Sequence, residues 1–140
     1  MRRYDGFRLE CRCIVNGKPL ERNSICEQIA EAIRDRVYGD NIDIGYVKYL
    51  RLYDQDGSTI KDLELKSSEV IDFSEELIPY FLLKFTFIDD TTDEYTFYNA
   101  LLYTTNKYSV AEASEANGYT KSANYPLVVI WEIRIYYSPW

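Results

Sequence analysis

Apolar side chains recur at every second position in the longest ordered-looking stretches of this chain. Phe7, Leu9, Cys11, Cys13 and Val15 alternate with Arg8, Glu10, Arg12 and Ile14. Phe81, Leu83, Phe85 and Phe87 alternate with Leu82, Lys84, Thr86 and Ile88, and Leu127, Val129, Trp131, Ile133, Ile135 and Tyr137 share one parity near the C-terminus. A period of two gathers such side chains on one face of a strand and scatters them around a helix, so this chain has sheet faces to bury. Val128 and Ile130 make the start of the last segment apolar on both faces, which predicts a central strand. Asn16-Gly17 supplies two residues that tolerate positive φ, the need of a two-residue hairpin turn, and Pro19 limits the returning strand to a short or edge one.

One segment has a different period. Ile25, Ile29, Ile33 and Val37, with Cys26 and Ala30 beside them, form a stripe at helical spacing opposite Glu27, Glu31, Arg34, Asp35 and Arg36. The spacing predicts an amphipathic helix over 25–38, opened by a Ser24/Glu27 capping box and ended by Gly39. Tyr46–Tyr53 and Thr59–Leu65 read as a hairpin around Asp54-Gln55-Asp56-Gly57, and Ser67–Glu76 as a polar connection with one helical turn near Phe73–Leu77. The acidic turn Asp89–Glu94 is expected to reverse Tyr80–Ile88 into Tyr95–Tyr103. Asn106–Tyr125, rich in Ser, Ala, Asn and Thr, reads as a long connection with a candidate strand at Tyr108–Ala113. Its small apolar area predicts mobility in a free subunit, and removal of Ala113–Lys121 is expected to spare folding. The fold class expected is mainly β with one helix (α+β): an antiparallel β-sandwich or barrel of six to eight strands with one flanking amphipathic α-helix, in a single domain over 1–140.

Composition enters through the chemistry it removes. There is no histidine, which excludes Ser/His/Asp and Cys/His nucleophilic machinery and the commonest metal ligand. The cysteines are Cys11, Cys13 and Cys26; an odd number without framework spacing suits a reducing cytosol, and Cys11 and Cys13 on one strand face lack the further ligands of a metal site, so they read as buried structural thiols. Asp54-Gln55-Asp56-Gly57 has the order of a calcium loop, but aligning its glycine puts Leu52 and Leu63 at ligand positions, so it reads as a turn. With 23 acidic against 16 basic side chains the net charge is −7, which repels phosphate backbones, and no direct nucleic-acid binding is expected. No apolar h-region follows Arg2 and Arg3 and no run approaches a membrane span, so neither a signal peptide nor a membrane partner is expected. No catalytic residue, metal or cofactor is predicted; the expected role is non-enzymatic.

The 14 tyrosines are too many for the core of a domain this size. Tyr46, Tyr49, Tyr53, Tyr95, Tyr98 and Tyr103 lie on predicted strands, and either an interface or a core rim with solvated hydroxyls accounts for them. The candidate interface residues are Tyr108, Tyr119 and Tyr125 on the long connection, and Tyr136, Tyr137 and Trp140 at the C-terminal end, where docking on a neighbour would explain aromatics. The acidic residues Asp54, Asp56, Asp89, Asp90, Asp93 and Glu94 form an alternative candidate surface, matched to a basic patch on another protein.

Phe85–Asp90 (FTFIDD), Glu94–Ala100 (EYTFYNA), a long polar excursion and Trp131–Tyr137 (WEIRIYY) follow one another in the C-terminal part. This succession, within Tyr80–Tyr137, resembles tail-tube and related tail-associated virion proteins of tailed viruses. The resemblance implies a β-sandwich or barrel with a flanking helix, here 25–38, that assembles into rings while a long loop, here 106–125, reaches the next subunit. It implies a structural subunit of a virus particle, a tail, neck or ring component, made in the host cytoplasm and located in the virion, with copies of itself and other virion proteins as partners. The alternative expectation is a small cytoplasmic inhibitor or immunity protein that binds a basic patch on an effector.

Overall fold

The alternating segments become the strands of two facing antiparallel sheets. A computed structural model describes residues 8–137. In chain order the elements are β1 (Arg8–Val15), β2 (Lys18–Pro19), β3 (Arg22–Ile25), α1 (Glu27–Tyr38), β4 (Val47–Tyr53), β5 (Thr59–Glu64), β6 (Ser67–Phe73), β7 (Tyr80–Asp89), β8 (Tyr95–Thr104), β9 (Ser109–Lys121) and β10 (Leu127–Tyr136). Sheet A has the order β2-β1-β10-β7-β6 and sheet B the order β3-β9-β8-β4-β5. The inward residues Trp131, Phe87, Phe97, Leu50, Leu52 and Leu102 fill the space between them and are fully buried. β10 lies between β1 and β7, as its two-sided apolarity predicts. The β1–β2 turn places Asn16 at φ 47° and Gly17 at φ 83°. No helix among the described residues is long and apolar enough to cross a membrane.

The mainly β sandwich with one helix is as expected, but ten strands replace six to eight. The additional ones are the short β3 and the largely exposed β6, whose Ser67, Ser68, Glu69 and Asp72 conceal a backbone paired along its length with β7. Residues 74–78 form a turn, not the expected helical one. Ser24 is no helix cap: it sits in β3 opposite Glu112, and the N-cap is Cys26 with no side-chain cap bond. The helix buries Ile29 and Ala32, whereas Val37 is 83% exposed, so only its first turns pack. Gly39 does end it, donating to the carbonyls of Asp35 and Arg36. Asp89–Glu94 is not a hairpin turn but an arch that carries the chain from β7 in sheet A to β8 in sheet B.

In the segment 106–125 the candidate strand at Tyr108–Ala113 is present as the start of β9, but it runs on to Lys121 where a loop is expected. Most of the segment is β9, paired with β8 on one side and β3 on the other. Its alanines are why: Ala111 and Ala113 are almost completely buried, where small side chains let the strand lie close under the other sheet. Ladder hydrogen bonds on both edges offset the ordering entropy that low apolar content leaves uncompensated. Removing Ala113–Lys121 would therefore excise an interior strand, and the expected mobility is overturned for this part.

Within β9 the register jumps: Phe97 faces Tyr119 while Asn99 faces Ser114, so Glu115–Gly118 bulge out opposite Tyr98. Gly118 makes the bulge feasible. Its φ is +73°, and a Cβ there would stand 2.7 Å from Thr96 Cγ2 and 2.9 Å from Tyr98 Cζ. Gly118→Ala is expected to cost about 3 kcal/mol in urea unfolding, combining overpacking with the left-handed backbone penalty. Gly17→Ala, at φ +83° with nothing within 4 Å, carries only the backbone penalty of about 1 kcal/mol.

Candidate interaction surface

The five predicted interface residues that the structure describes are not brought together. Tyr108 is half-buried at the entry to β9, against the core. Tyr119 tilts onto Phe97 at 5.7 Å, and its hydroxyl accepts a 2.9 Å hydrogen bond from Asn16 Nδ2, tying the β1–β2 turn to sheet B. Tyr136 is buried on the outer side of sheet A, its ring 5.2 Å from that of Tyr80 and 4.2 Å from the Arg8 guanidinium. Tyr137 stacks on Phe81 at 5.2 Å. Tyr125 is 71% exposed, and Trp140 lies outside the described residues.

The acidic candidates also divide. Asp89 is a correction: it is buried, not part of a surface. Its Oδ1 accepts from Thr91 N at 3.0 Å and Thr91 Oγ1 at 2.6 Å; its Oδ2 accepts from Tyr95 Oη at 2.7 Å and faces Lys61 Nζ at 3.0 Å. Burial alone would raise its pKa, but these donors outweigh it and hold the carboxyl well below the usual range. Lys61 also donates to Asp93 at 2.6 Å and Thr91 Oγ1 at 3.1 Å. Lys121, buried, donates to the carbonyls of Thr91 at 2.7 Å, Asp93 at 2.8 Å and Ser122 at 3.1 Å. The group is a polar latch between the sheets. Asp54 is occupied by its own turn, accepting from Asp56 N and Ser58 N, each at 2.9 Å. Asp56, Asp90 and Glu94 are exposed at the same end, since Lys61, just beyond that turn, reaches the arch.

The thiols are held in the protonated form. Burial, reinforced by Cys26, pushes Cys11 up to about 11, and burial likewise raises Cys26 and Cys13. No group of three His, Cys, Asp or Glu placed to hold a metal occurs among the described residues.

What the fold does assemble is a tyrosine-, arginine- and asparagine-bearing outer face on sheet B. Tyr49, Arg51 and Tyr53 alternate along β4 with the buried Leu50 and Leu52. Tyr49 and Tyr103 stack at 5.3 Å, the Arg51 guanidinium lies 5.3 Å from the Tyr103 ring, and its fork holds Asp62 at 2.8 and 3.0 Å. The pairings Arg22–Ser114, Ser114–Asn99 and Asn99–Tyr53 run a row across β3, β9, β8 and β4. Arg22, Ser114 and Asn99 of that row floor an open depression of about 450 Å³ bordered by Glu112 and Ser24. Two further depressions share Asn99, one toward Gly57 and one toward Tyr98 and Glu115 of the bulge. Together they make a shallow groove across the sheet. The alternation Tyr49-Leu50-Arg51-Leu52-Tyr53 is the signal that could have found β4's share of this face; cross-strand register supplies the rest.

Comparison with protein-family models, with curated proteins and with solved structures finds no match for this chain.

Proposed function

We propose that the protein is a non-enzymatic structural subunit that works by association, binding copies of itself or neighbouring proteins of a virus particle through the outer face of sheet B. The observation that carries the reading is the half-buried pair Tyr49 and Arg51, held in place on the buried Tyr103 ring, beside the Asn99 groove. Tyrosine and arginine dominate the energetics of protein interfaces because each offers large area with polar reach. Here Asp62 already pins the Arg51 fork, so docking immobilises little that is free. A place in a tail, neck or ring rests on the resemblance of the β7–β10 segments to tail-tube proteins. The flanking helix supports it; the free loop does not, since β9 occupies most of that segment, and the bulge at Glu115–Gly118 is what remains to reach a neighbour. Light scattering is expected to show species larger than a dimer that grow with concentration. Asn99→Lys, at an exposed position in the groove, is expected to raise the concentration needed at least about tenfold without shifting thermal unfolding. A protein that forms nothing larger than a dimer and retains no particle protein, or an Asn99→Lys variant whose assembly beyond the dimer is unchanged, overturns the reading.

A second reading has one observation in its favour: Lys61 draws the β4–β5 turn and the β7–β8 arch to one end, where Asp56, Asp90 and Glu94 are exposed. An acidic end of this kind serves an inhibitor or immunity protein that docks on a basic effector surface. Such a protein is a stable monomer whose association with its effector weakens steeply with salt.

A further inference from the structure

We propose that two copies of this chain pair through β6, antiparallel, so that sheet A continues across a two-fold axis at Val70. The contact is separate from the sheet B face and does not depend on the virion reading.

β6 is the outer strand of sheet A, while sheet B ends at β5, which packs over β7 rather than β6. The strand therefore overhangs the sandwich. Val70 pairs with Leu83 and so lies on the core-facing side of the sheet, yet it is 69% exposed. Phe81, on that same face, is also exposed, and the β6–β7 turn adds Leu77, 96% exposed, and Ile78. On this core-facing side of β6 Val70 stands between Ser68 and Asp72, and Tyr137 stacks on Phe81, so Val70 is the apolar side chain of the strand left most open.

Of the usual devices the edge keeps only one, the acids Glu69 and Asp72. Natural edges are blunted by brevity, proline, charges or bulges. β2 is two residues long and ends in Pro19, β3 is four residues long, and β5 carries Lys61, Asp62 and Glu64 and has an irregular register against β4. β6 runs seven residues, Ser67–Phe73, in unbroken register with β7 and without proline or lysine.

Its own sequence names the occupant. Pairing residues must face the same side, so only registers that keep parity are open. Centred on Val70, Ser67 meets Phe73 of the second copy, Ser68 meets Asp72, Glu69 meets Ile71 and Val70 meets Val70, with no like charges opposed. A centre at Glu69 or at Asp72 opposes two carboxylates, and one at Ile71 sets Asp72 against the exposed Val70 on the core side, whereas the acid–aliphatic pair of the Val70 register, Glu69 with Ile71, lies on the solvent-facing outer side. Lys84, 3.8 Å from Glu69 on the neighbouring strand, offsets the charge of the one acid on the outer face. The pairing satisfies the free strand edges and brings the two exposed valines together on the core side. A strand pair of this length buries less than about 1,200 Å², the range of weak, concentration-dependent dimers.

Sedimentation velocity over a concentration series is expected to show a monomer–dimer equilibrium that Val70→Lys abolishes and Asn99→Lys leaves intact, while thermal unfolding of the Val70→Lys variant is unchanged. Under mild oxidation Val70→Cys, on the axis and within disulfide reach of its symmetry mate, is expected to cross-link as a dimer much faster than Ser68→Cys, which the register sets away from its mate. A dimer that survives Val70→Lys overturns the proposal, as does equal cross-linking of the two cysteine variants. So does a chain that stays monomeric to roughly millimolar concentration, including one whose β6 amides gain exchange protection only from a different protein.

Discussion

Asp89→Asn lowers the unfolding free energy by about 3 kcal/mol, the range for breaking one side of a buried charge pair, and the melting temperature by roughly 10 °C for a domain of this size. The size follows from where the donors stand. Thr91 supplies two at Oδ1, and Tyr95 and Lys61 approach Oδ2. An amide can present an oxygen to only one of these sides, so its NH2 is forced against donors whichever way it turns. The same group sets the pH profile. Asp89 has a folded-state pKa held below its unfolded value, so its contribution is complete above about pH 4, where the unfolded carboxylate ionises, and is lost as pH falls through that value toward the folded pKa. Tyr95 has the opposite sign. Burial, with the Asp89 carboxylate as hydrogen-bond acceptor, raises its pKa; that contribution is complete below about pH 10 and is lost as pH rises further. Urea unfolding at a series of pH values should show a plateau between these limits, and Asp89→Asn should flatten the acid limb. An acid limb identical to that of the wild type would remove Asp89 from this role.

Trp131→Ala costs about 3 to 5 kcal/mol and leaves the chain largely unfolded under conditions where the wild type is folded. Trp131 is fully buried on β10, the middle strand of sheet A, with Cys13 of β1 and Phe85 of β7 as its cross-strand neighbours. A cavity there is enclosed by both sheets and collapses poorly. Trp131→Phe separates volume from polarity. The indole Nε1 is buried without a hydrogen-bond partner, and such a group carries a penalty of about 1 to 3 kcal/mol. Removing it offsets part of the lost packing, so Trp131→Phe should cost no more than about 1 kcal/mol. A phenylalanine variant as unstable as the alanine variant would show that ring volume alone governs the site.

The candidate sites were legible in the sequence to different depths. Tyr49, Arg51 and Tyr53 advertise an outward-facing row through their alternation with leucines, and the excess of tyrosine pointed to an interface. Choosing Tyr108, Tyr119, Tyr125, Tyr136, Tyr137 and Trp140 relied on position along the chain, and position along the chain does not specify a surface. Asp89 shares a run of acids with Asp90 and Asp93; nothing local distinguishes the one that turns inward.

By itself the sequence determined what depends on neighbours a few residues apart: the strands with two-residue period, the hairpin at Asn16-Gly17, the end of the helix at Gly39 and the central place of β10. Those outcomes rest on backbone sterics and on which side of one element is apolar, and both act within a segment. Tertiary structure alone decided that Asp89–Glu94 arches between sheets, that the strand beginning after Tyr108 continues to Lys121 in the interior of sheet B, and that β6 overhangs its partner sheet. Each of these turns on cross-strand hydrogen bonds and on the space left under an opposing sheet. Such terms belong to pairs of segments far apart in the chain, and no segment carries them alone.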